Sequence, residues 1–158
     1  MDWQAYLAKA RNNLHTAQQA YAQRDYDSCA SRAYFAVFHG EIAALIKLTA
    51  FRQDRWGHDR VQEEFNRRLI RTRKVFPAAL RSIHNDLIGR RHVADYTDQH
   101  TSARIAEHCL RQAAEMLTAI LVLHHSEFDG RVVNRVKSGQ PIHRRTTSDA
   151  QEKISCHA

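Results

Sequence analysis

The sequence contains few helix-breaking residues and few cysteines. It has five glycines and two prolines in 158 residues, which favours long helices with short connections. The three cysteines, Cys29, Cys109 and Cys156, are odd in number and lack metal-ligand spacing, so we expect a reduced, cytoplasmic protein with no metal site. No apolar run reaches the length of a membrane span, and the start Met1-Asp2-Trp3 does not resemble a signal peptide.

Common catalytic motifs are also missing. The sequence has no glycine-rich phosphate loop, no nucleophile elbow, no His-Glu-x-x-His helix and no cysteine pair at zinc spacing. These absences exclude the familiar nucleotide-binding, serine-hydrolase and zinc-protease patterns, and we expect no cofactor.

Apolar residues recur at helical spacing in five segments, and none alternates as a strand would. The sequence therefore predicts an all-α, up-and-down bundle of about five helices. The second helix is apolar over most of its circumference, so we expect it to be central. Asp2 and Thr101 or Ser102 suit helix caps, and Pro77 suits a first turn. The predicted helices span residues 2–22, 26–49, 58–74, 77–92 and a segment starting at 101 or 102.

The predicted bundle occupies residues 1–125, and residues 126–158 differ from it in composition. Polar and charged residues dominate this C-terminal segment, Pro141 interrupts it, and apolar residues are isolated. We therefore expect a flexible, basic tail.

The middle of the second predicted helix carries the most specific pattern. It reads Ala30-Ser31-Arg32-Ala33-Tyr34-Phe35-Ala36-Val37-Phe38-His39, with Arg32 and His39 seven residues apart and so near one helical face. The segment resembles the pattern A-x-R-A-Y-Y-A-x-F-H of minimal, single-domain HEPN proteins. It departs from that pattern at Phe35, where the family has a second tyrosine.

Two further segments extend the HEPN resemblance in the expected order. Gly57-His58-Asp59-Arg60 resembles a histidine-containing helix start of the family, and Arg91-His92-Val93-Ala94-Asp95-Tyr96 resembles its R-x-x-A-D-Y signature. The resemblance implies a helical bundle, a homodimer and an action on RNA without a metal ion. In HEPN ribonucleases an arginine binds the scissile phosphate, and a histidine that follows after four to six intervening residues moves protons.

The arginine of that catalytic pair corresponds to Arg91, but Tyr96 stands where a histidine is usual. As alternative catalytic residues we consider His92, Tyr96, and the pair Arg32 and His39. A structural interpretation is also open, in which Arg32, His39, Arg91 and Asp95 form a buried polar network between the second and fourth helices.

The net charge is +7, and arginine outnumbers lysine by 19 to 5. A guanidinium can pair two phosphate oxygens and stack on bases, so this composition favours an RNA partner. The densest run is 67–74, and on an α-helix Arg67, Arg71 and Lys74 share one side. The basic ridge (Arg67, Arg71, Arg73 and Lys74), together with Arg90, is therefore a candidate RNA-binding surface. The alternative is a solvated basic helix end.

The sequence thus supports two functions. The first is a metal-independent endoribonuclease of the toxin–antitoxin or defence kind. The second is a non-catalytic HEPN binding module that works with a minimal nucleotidyltransferase, an antitoxin or another partner protein.

Overall fold

The computed structural model describes residues 2–126, with side chains as far as Leu123. The predicted all-helical fold with five helices is confirmed, and no strand occurs in this part of the chain. The predicted flexible tail was residues 126–158; Ser126 ends α5, and the rest of this segment lies outside the described residues. The helices are α1 (Trp3–Ala22), α2 (Tyr26–Leu48), α3 (His58–Phe65), α4 (Ile83–Tyr96) and α5 (Ala103–Ser126).

Aspartate side chains cap the N-termini of the first two helices. Asp2 accepts a hydrogen bond from the backbone N–H of Gln4 at 2.8 Å, as predicted for the cap of α1. Asp25 caps α2 by accepting from the N–H of Ser28 at 3.2 Å. Arg24, between the two helices, has a φ of 63°, a left-handed conformation that lets the chain reverse after α1.

Helix α2 is the central element, as its apolar surface predicted. Fifteen of its 23 residues are buried, including Tyr34 and Glu41. It packs closely against α5 at Gly40, where a Cβ atom would lie 3.1 Å from Cδ1 of Ile120 and 3.2 Å from Cδ1 of Leu117. Glycine therefore allows the two helices to approach at this point.

The third helix differs from the single α-helix predicted over residues 58–74. The α-helix ends at Phe65, and the chain continues as a π-helix over Asn66–Thr72. This wider turn carries hydrogen bonds between residues five apart, and it lets the adjacent Leu69 and Ile70 both be buried. Lys74 lies beyond the helix with a φ of 50°.

The fourth helix begins later and ends later than predicted. Pro77 is extended and precedes a 3₁₀ turn (Ala78–Ser82), after which α4 runs to Tyr96 rather than to about residue 92. The whole R-x-x-A-D-Y segment is consequently helical, which places Arg91 and Asp95 one turn apart on one face.

The start of α5 is anchored to α2. Ser102 caps α5 by accepting from the N–H of Ile105 at 3.3 Å. The N–H of Thr101 donates to Asp27 at 2.7 Å, and the exposed His100 contacts the same carboxylate at 3.1 Å. These bonds hold the loop after α4 against the beginning of α2.

Cys29 and Cys109 are buried free thiols, as predicted for small core residues. Burial raises the pKa of Cys29 to about 12 and that of Cys109 to about 11. Within the described part of the chain, no helix is both long enough and apolar enough to cross a membrane.

Candidate functional site

Arg91 is the centre of a polar and aromatic cluster at the C-terminal end of α4. Its Nε donates to Oδ2 of Asp95 at 3.0 Å, and its Nη2 donates to the hydroxyl of Tyr96 at 3.2 Å. The side chain of Arg91 is 16% exposed, so it is mostly enclosed but still in contact with solvent. Because helical residues four apart lie on one face, the α-helical form of this signature makes the Arg91–Asp95 pair possible.

Helix α2 supplies an aromatic platform for this arginine. The guanidinium carbon of Arg91 lies 4.6 Å from the ring centre of Phe35 and 5.3 Å from that of Tyr34. The exposed Arg32 approaches the same Phe35 ring, at 5.4 Å. Two guanidinium groups thus pack against the ring of Phe35. Cation–π contacts of this kind fix the planes of the guanidiniums without using their hydrogen-bond donors.

A second contact joins α4 to α2. The hydroxyl of Ser31 donates to Oδ2 of Asp95 at 3.1 Å, so Asp95 accepts bonds from both helices. Asp95 therefore orients Arg91 and fixes the end of α4 against α2.

His58, the first residue of α3, joins this cluster through Tyr34. Its Nδ1 is hydrogen-bonded to the hydroxyl of Tyr34, and its ring packs against Phe38 with centres 4.6 Å apart. Burial lowers the pKa of His58 below its ordinary range. Electrostatic interactions with Arg91 and His84 lower this pKa further, while Asp59 opposes them. A neutral His58 at physiological pH can accept a proton.

A buried acid–histidine pair lies behind Tyr34. Nδ1 of His84 and Oε2 of Glu41 are 2.5 Å apart, and both side chains are about 2% exposed. The ring of His84 meets that of Tyr34 edge-on, with centres 5.4 Å apart. Tyr34 therefore lies between this core pair and the partly exposed His58.

The structure brings together some of the predicted catalytic residues and separates others. Tyr96 is 66% exposed, and its ring lies 5.4 Å from that of the exposed His92, so both border Arg91. Arg32 reaches the cluster through Phe35. The ring of His39 also stacks on Phe35, with centres 6.1 Å apart, and it lies 6.2 Å from Tyr6 of α1.

The buried four-residue network considered from the sequence is not formed. Arg32 is exposed, and His39 faces α1, so only Arg91 and Asp95 of that set are bonded to each other. The spacing of Arg32 and His39 placed them near one helical face. However, neighbouring helices pack against that face at different points, which a single helix cannot reveal.

The basic ridge has more protein partners than its sequence suggested. Arg67 pairs with the buried Glu64 at 2.6 Å, and Arg73 donates to the carbonyl of Leu48. The exposed Arg71 lines a groove with Arg81. Lys74 does not share the helical face, because the helix ends before it. The prediction of one continuous helical ridge was therefore wrong in geometry. RNA binding by these residues stays a prediction.

The buried Glu64 forms ion pairs with the arginines at the start of the basic ridge. Its carboxylate is bonded to Arg60 at 2.9 Å and to Arg68 at 2.5 Å, in addition to Arg67. Burial acts to raise the pKa of Glu64, but the hydrogen bonds from Arg68 and Arg67 outweigh it and hold this pKa below its usual range. Part of the positive charge in this region is thus already neutralised. Arg90, the remaining predicted RNA contact, is exposed and lines a different cleft, between α4 and α5.

Sequence reasoning did not place His58 and Tyr34 in one cluster with Arg91. Tyr34 looked like a core residue, which it is, but its hydroxyl reaches the cluster. The segment starting at Gly57 gave a signal, since it resembles a family feature. Nothing in the spacing indicated that His58 and Arg91 would contact the same Tyr34 side chain.

The comparisons with known proteins agree with the architecture. A family model described as HEPN domain matches residues 3–123, which includes all the clustered residues. Among curated proteins, none matches this chain in sequence.

Proposed function

Because this chain belongs to the HEPN family, we propose that it is a metal-independent endoribonuclease of the toxin–antitoxin or defence kind. One observation carries the proposal: Tyr34 contacts Arg91 through its ring and bonds His58 through its hydroxyl. A phosphate-binding arginine and a proton-accepting histidine thereby share one cluster. We propose that His58 replaces the histidine that the family usually has where this chain has Tyr96.

The reaction follows from these roles. A ribose 2′-hydroxyl attacks the adjacent phosphorus, and the bond from phosphorus to the 5′ oxygen of the next nucleotide breaks. His58 takes the proton of the 2′-hydroxyl, and the leaving 5′ oxygen takes a proton from water. Arg91 and the hydroxyl of Tyr96 stabilise the negative charge that develops on the phosphate oxygens. The products are a 2′,3′-cyclic phosphate and a 5′-hydroxyl.

The bond to Tyr34 decides which nitrogen of His58 is available. To accept a proton at Nε2, the neutral ring must carry its hydrogen on Nδ1 and donate it to the oxygen of Tyr34. The ring contact with Phe38 limits rotation of the imidazole. Tyr34 therefore acts as a positioning residue for His58.

A homodimer fits the partial enclosure of this site. Each copy offers a partly exposed Arg91, with an exposed Arg32 and Tyr96 beside it. In the family, helical faces usually pair and bring two copies of the signature together. A dimer would therefore double the positive charge around one RNA strand.

Cleavage of RNA in the presence of a chelator tests the proposal. The purified protein should convert single-stranded RNA to products with a 2′,3′-cyclic phosphate. His58→Gln should slow this cleavage on the order of a hundredfold or more, since a general base contributes at least that much. The control is His15→Gln, at an exposed histidine of α1. A His58→Gln protein that cleaves as fast as the His15→Gln control would overturn the assignment.

A non-catalytic role is the second candidate, and one observation favours it. The donors of Arg91 are partly used by Asp95 and Tyr96, which suits a structural arginine as well as a phosphate ligand. The protein would then be a HEPN binding module beside a nucleotidyltransferase, an antitoxin or another partner. Wild-type protein that leaves RNA intact in chelator, with a normal fold by circular dichroism, would favour this role.

A further inference from the structure

A basic cleft lies between the end of α4 and the beginning of α5, apart from the Arg91 cluster. It has a volume of about 690 Å³, and its lining includes Arg90, Arg104, Arg111, Glu107 and His108. Three guanidiniums and one carboxylate therefore face the same space. We refer to it as the Arg104 cleft.

The positive charge of the Arg104 cleft is less neutralised than that of the basic ridge. Among the side chains that the structure describes, no carboxylate forms an ion pair with Arg90, Arg104 or Arg111. Arg111 has a 3.4 Å contact with Nδ1 of His108, a neutral partner unless the histidine is protonated. By contrast, three arginines around α3 converge on Glu64.

The geometry of the cleft suits a phosphate group. Each guanidinium can donate two parallel hydrogen bonds to phosphate oxygens, and arginines on two facing helices can hold one phosphate from both sides. The first turn of α5, a helix of 24 residues, adds the positive end of its dipole.

Arg90 connects this cleft to the proposed catalytic site. Arg90 and Arg91 are consecutive in α4, so their side chains leave the helix about 100° apart. The Arg104 cleft and the Arg91 cluster therefore flank the same end of α4. A nucleic-acid strand that crosses this end can contact both.

We propose that the Arg104 cleft binds a backbone phosphate of the RNA strand whose scissile phosphate lies at Arg91. This inference rests on the proposed ribonuclease function, from which RNA is taken as the ligand of the cleft. The cleft would act as a second contact that a very short substrate cannot reach, so it would set the affinity for longer strands and not the rate of the chemical step.

The test measures binding separately from cleavage. The ligand is a single-stranded RNA with 2′-O-methyl groups, which cannot be cleaved because the attacking hydroxyl is blocked. The double variant Arg104→Ala/Arg111→Ala should bind it more weakly than wild type. The slope of log affinity against log salt should flatten by roughly 1.4, or about 0.7 for each lost charge. Arg11→Ala/Arg55→Ala, which removes two exposed arginines from other segments, is the matched control.

Cleavage assays complete the test with two unmodified substrates. The double variant should raise KM for a long RNA and leave cleavage of a dinucleotide unchanged. If its salt slope and affinity equal those of wild type, the cleft proposal is wrong even when cleavage is intact. If wild type cleaves nothing but the double variant still loses affinity and slope, the ribonuclease proposal fails and the phosphate-binding cleft stands.

Discussion

The hydroxyl of Tyr34 and Nδ1 of His58 are hydrogen-bonded, which joins the middle of α2 to the first residue of α3. Tyr34 is fully buried, while His58 is only partly so. The bond therefore extends a fixed group of the core to the edge of the candidate site. A histidine that begins a short helix would otherwise have considerable rotational freedom.

Tyr34→Phe tests this positioning role. The change keeps the ring and its contacts but leaves Nδ1 of His58 without its partner, so we expect a loss of about 1 kcal/mol in the free energy of unfolding. Cleavage should fall more than the stability loss explains, mainly through kcat. Chemical denaturation and single-turnover kinetics measure the two effects. Tyr21→Phe, at a half-buried tyrosine of α1, is the control, and equal kinetics for both variants would contradict the role.

The lowered pKa of His58 predicts a pH dependence of stability. Between the ordinary value of about 6.5 and the lower pKa of the folded protein, the unfolded chain binds a proton that the folded protein does not. The contribution of His58 is thus complete above this window and is lost as pH falls through it. Thermal midpoints of wild type and His58→Gln, compared at mildly alkaline and mildly acidic pH, should converge on the acidic side. His39 also has a lowered pKa because of burial, but it contributes equally to both proteins.

Arg91→Ala separates catalysis from structure. If Arg91 binds the scissile phosphate, its loss should slow cleavage by a hundredfold or more, about 3 kcal/mol of transition-state stabilisation. Asp95 loses its guanidinium but is partly exposed and keeps Ser31, so the lost contacts with Phe35 and Tyr34 should lower the free energy of unfolding by only about 1 kcal/mol. Tyr96→Phe removes only a hydroxyl and should have a smaller effect on rate. A large drop in melting temperature without RNA cleavage by wild type would show that Arg91 is structural.

The basic ridge makes a separate prediction about RNA affinity. Changing Arg67, Arg71 and Lys74 together to alanine should weaken RNA binding and flatten its salt dependence by up to about 2, or three charges' worth. An unchanged slope would mean that these residues are only solvated. Arg67→Ala alone should also lower stability by about 1 kcal/mol, because the buried Glu64 loses one of its partners.

Two glycines in helices should respond in opposite ways to alanine. A Cβ at Gly89 of α4 meets nothing within 4 Å, so Gly89→Ala should raise the free energy of unfolding by roughly 0.5–1 kcal/mol. At Gly40 the new methyl would press on Ile120 and Leu117, and we expect overpacking to cost about 1 kcal/mol or more. Urea unfolding of both variants measures the difference. Equal stabilisation by both changes would show that α5 can move away from α2.

The fold was predictable because helical periodicity is a local property. The spacing of apolar residues in α1, α2 and α5 defined their positions, and the caps at Asp2 and Ser102 were visible as residue types. The π-helix at Asn66–Thr72 was not predictable, since it depends on burying Leu69 and Ile70 together, a tertiary requirement. The true end of α4 was similarly hidden, because its last turn is held by Asp95 bonding to Ser31 on another helix.

The candidate site was only half predictable. Arg91, Tyr96 and Arg32 could be named from their pattern, and the structure places both arginines against Phe35 and Tyr96 against Arg91. His58 could not be assigned, because its proximity depends on how α3 packs against α2. His39 illustrates the reverse case: its spacing from Arg32 looked functional, but its ring packs against Phe35 and Tyr6.

The reactivity of the two buried thiols can report on the contact between α2 and α5. The thiol of Cys29 lies 3.8 Å from the carbonyl oxygen of Ala106, and Cys109 is on the same helix as that carbonyl. With pKa values near 12 and 11, neither sulfur is a nucleophile at neutral pH while the helices are in contact. Modification of Cys29 and Cys109 by a thiol reagent should therefore proceed at the rate at which the bundle opens. The modification rate then measures how often α2 and α5 separate.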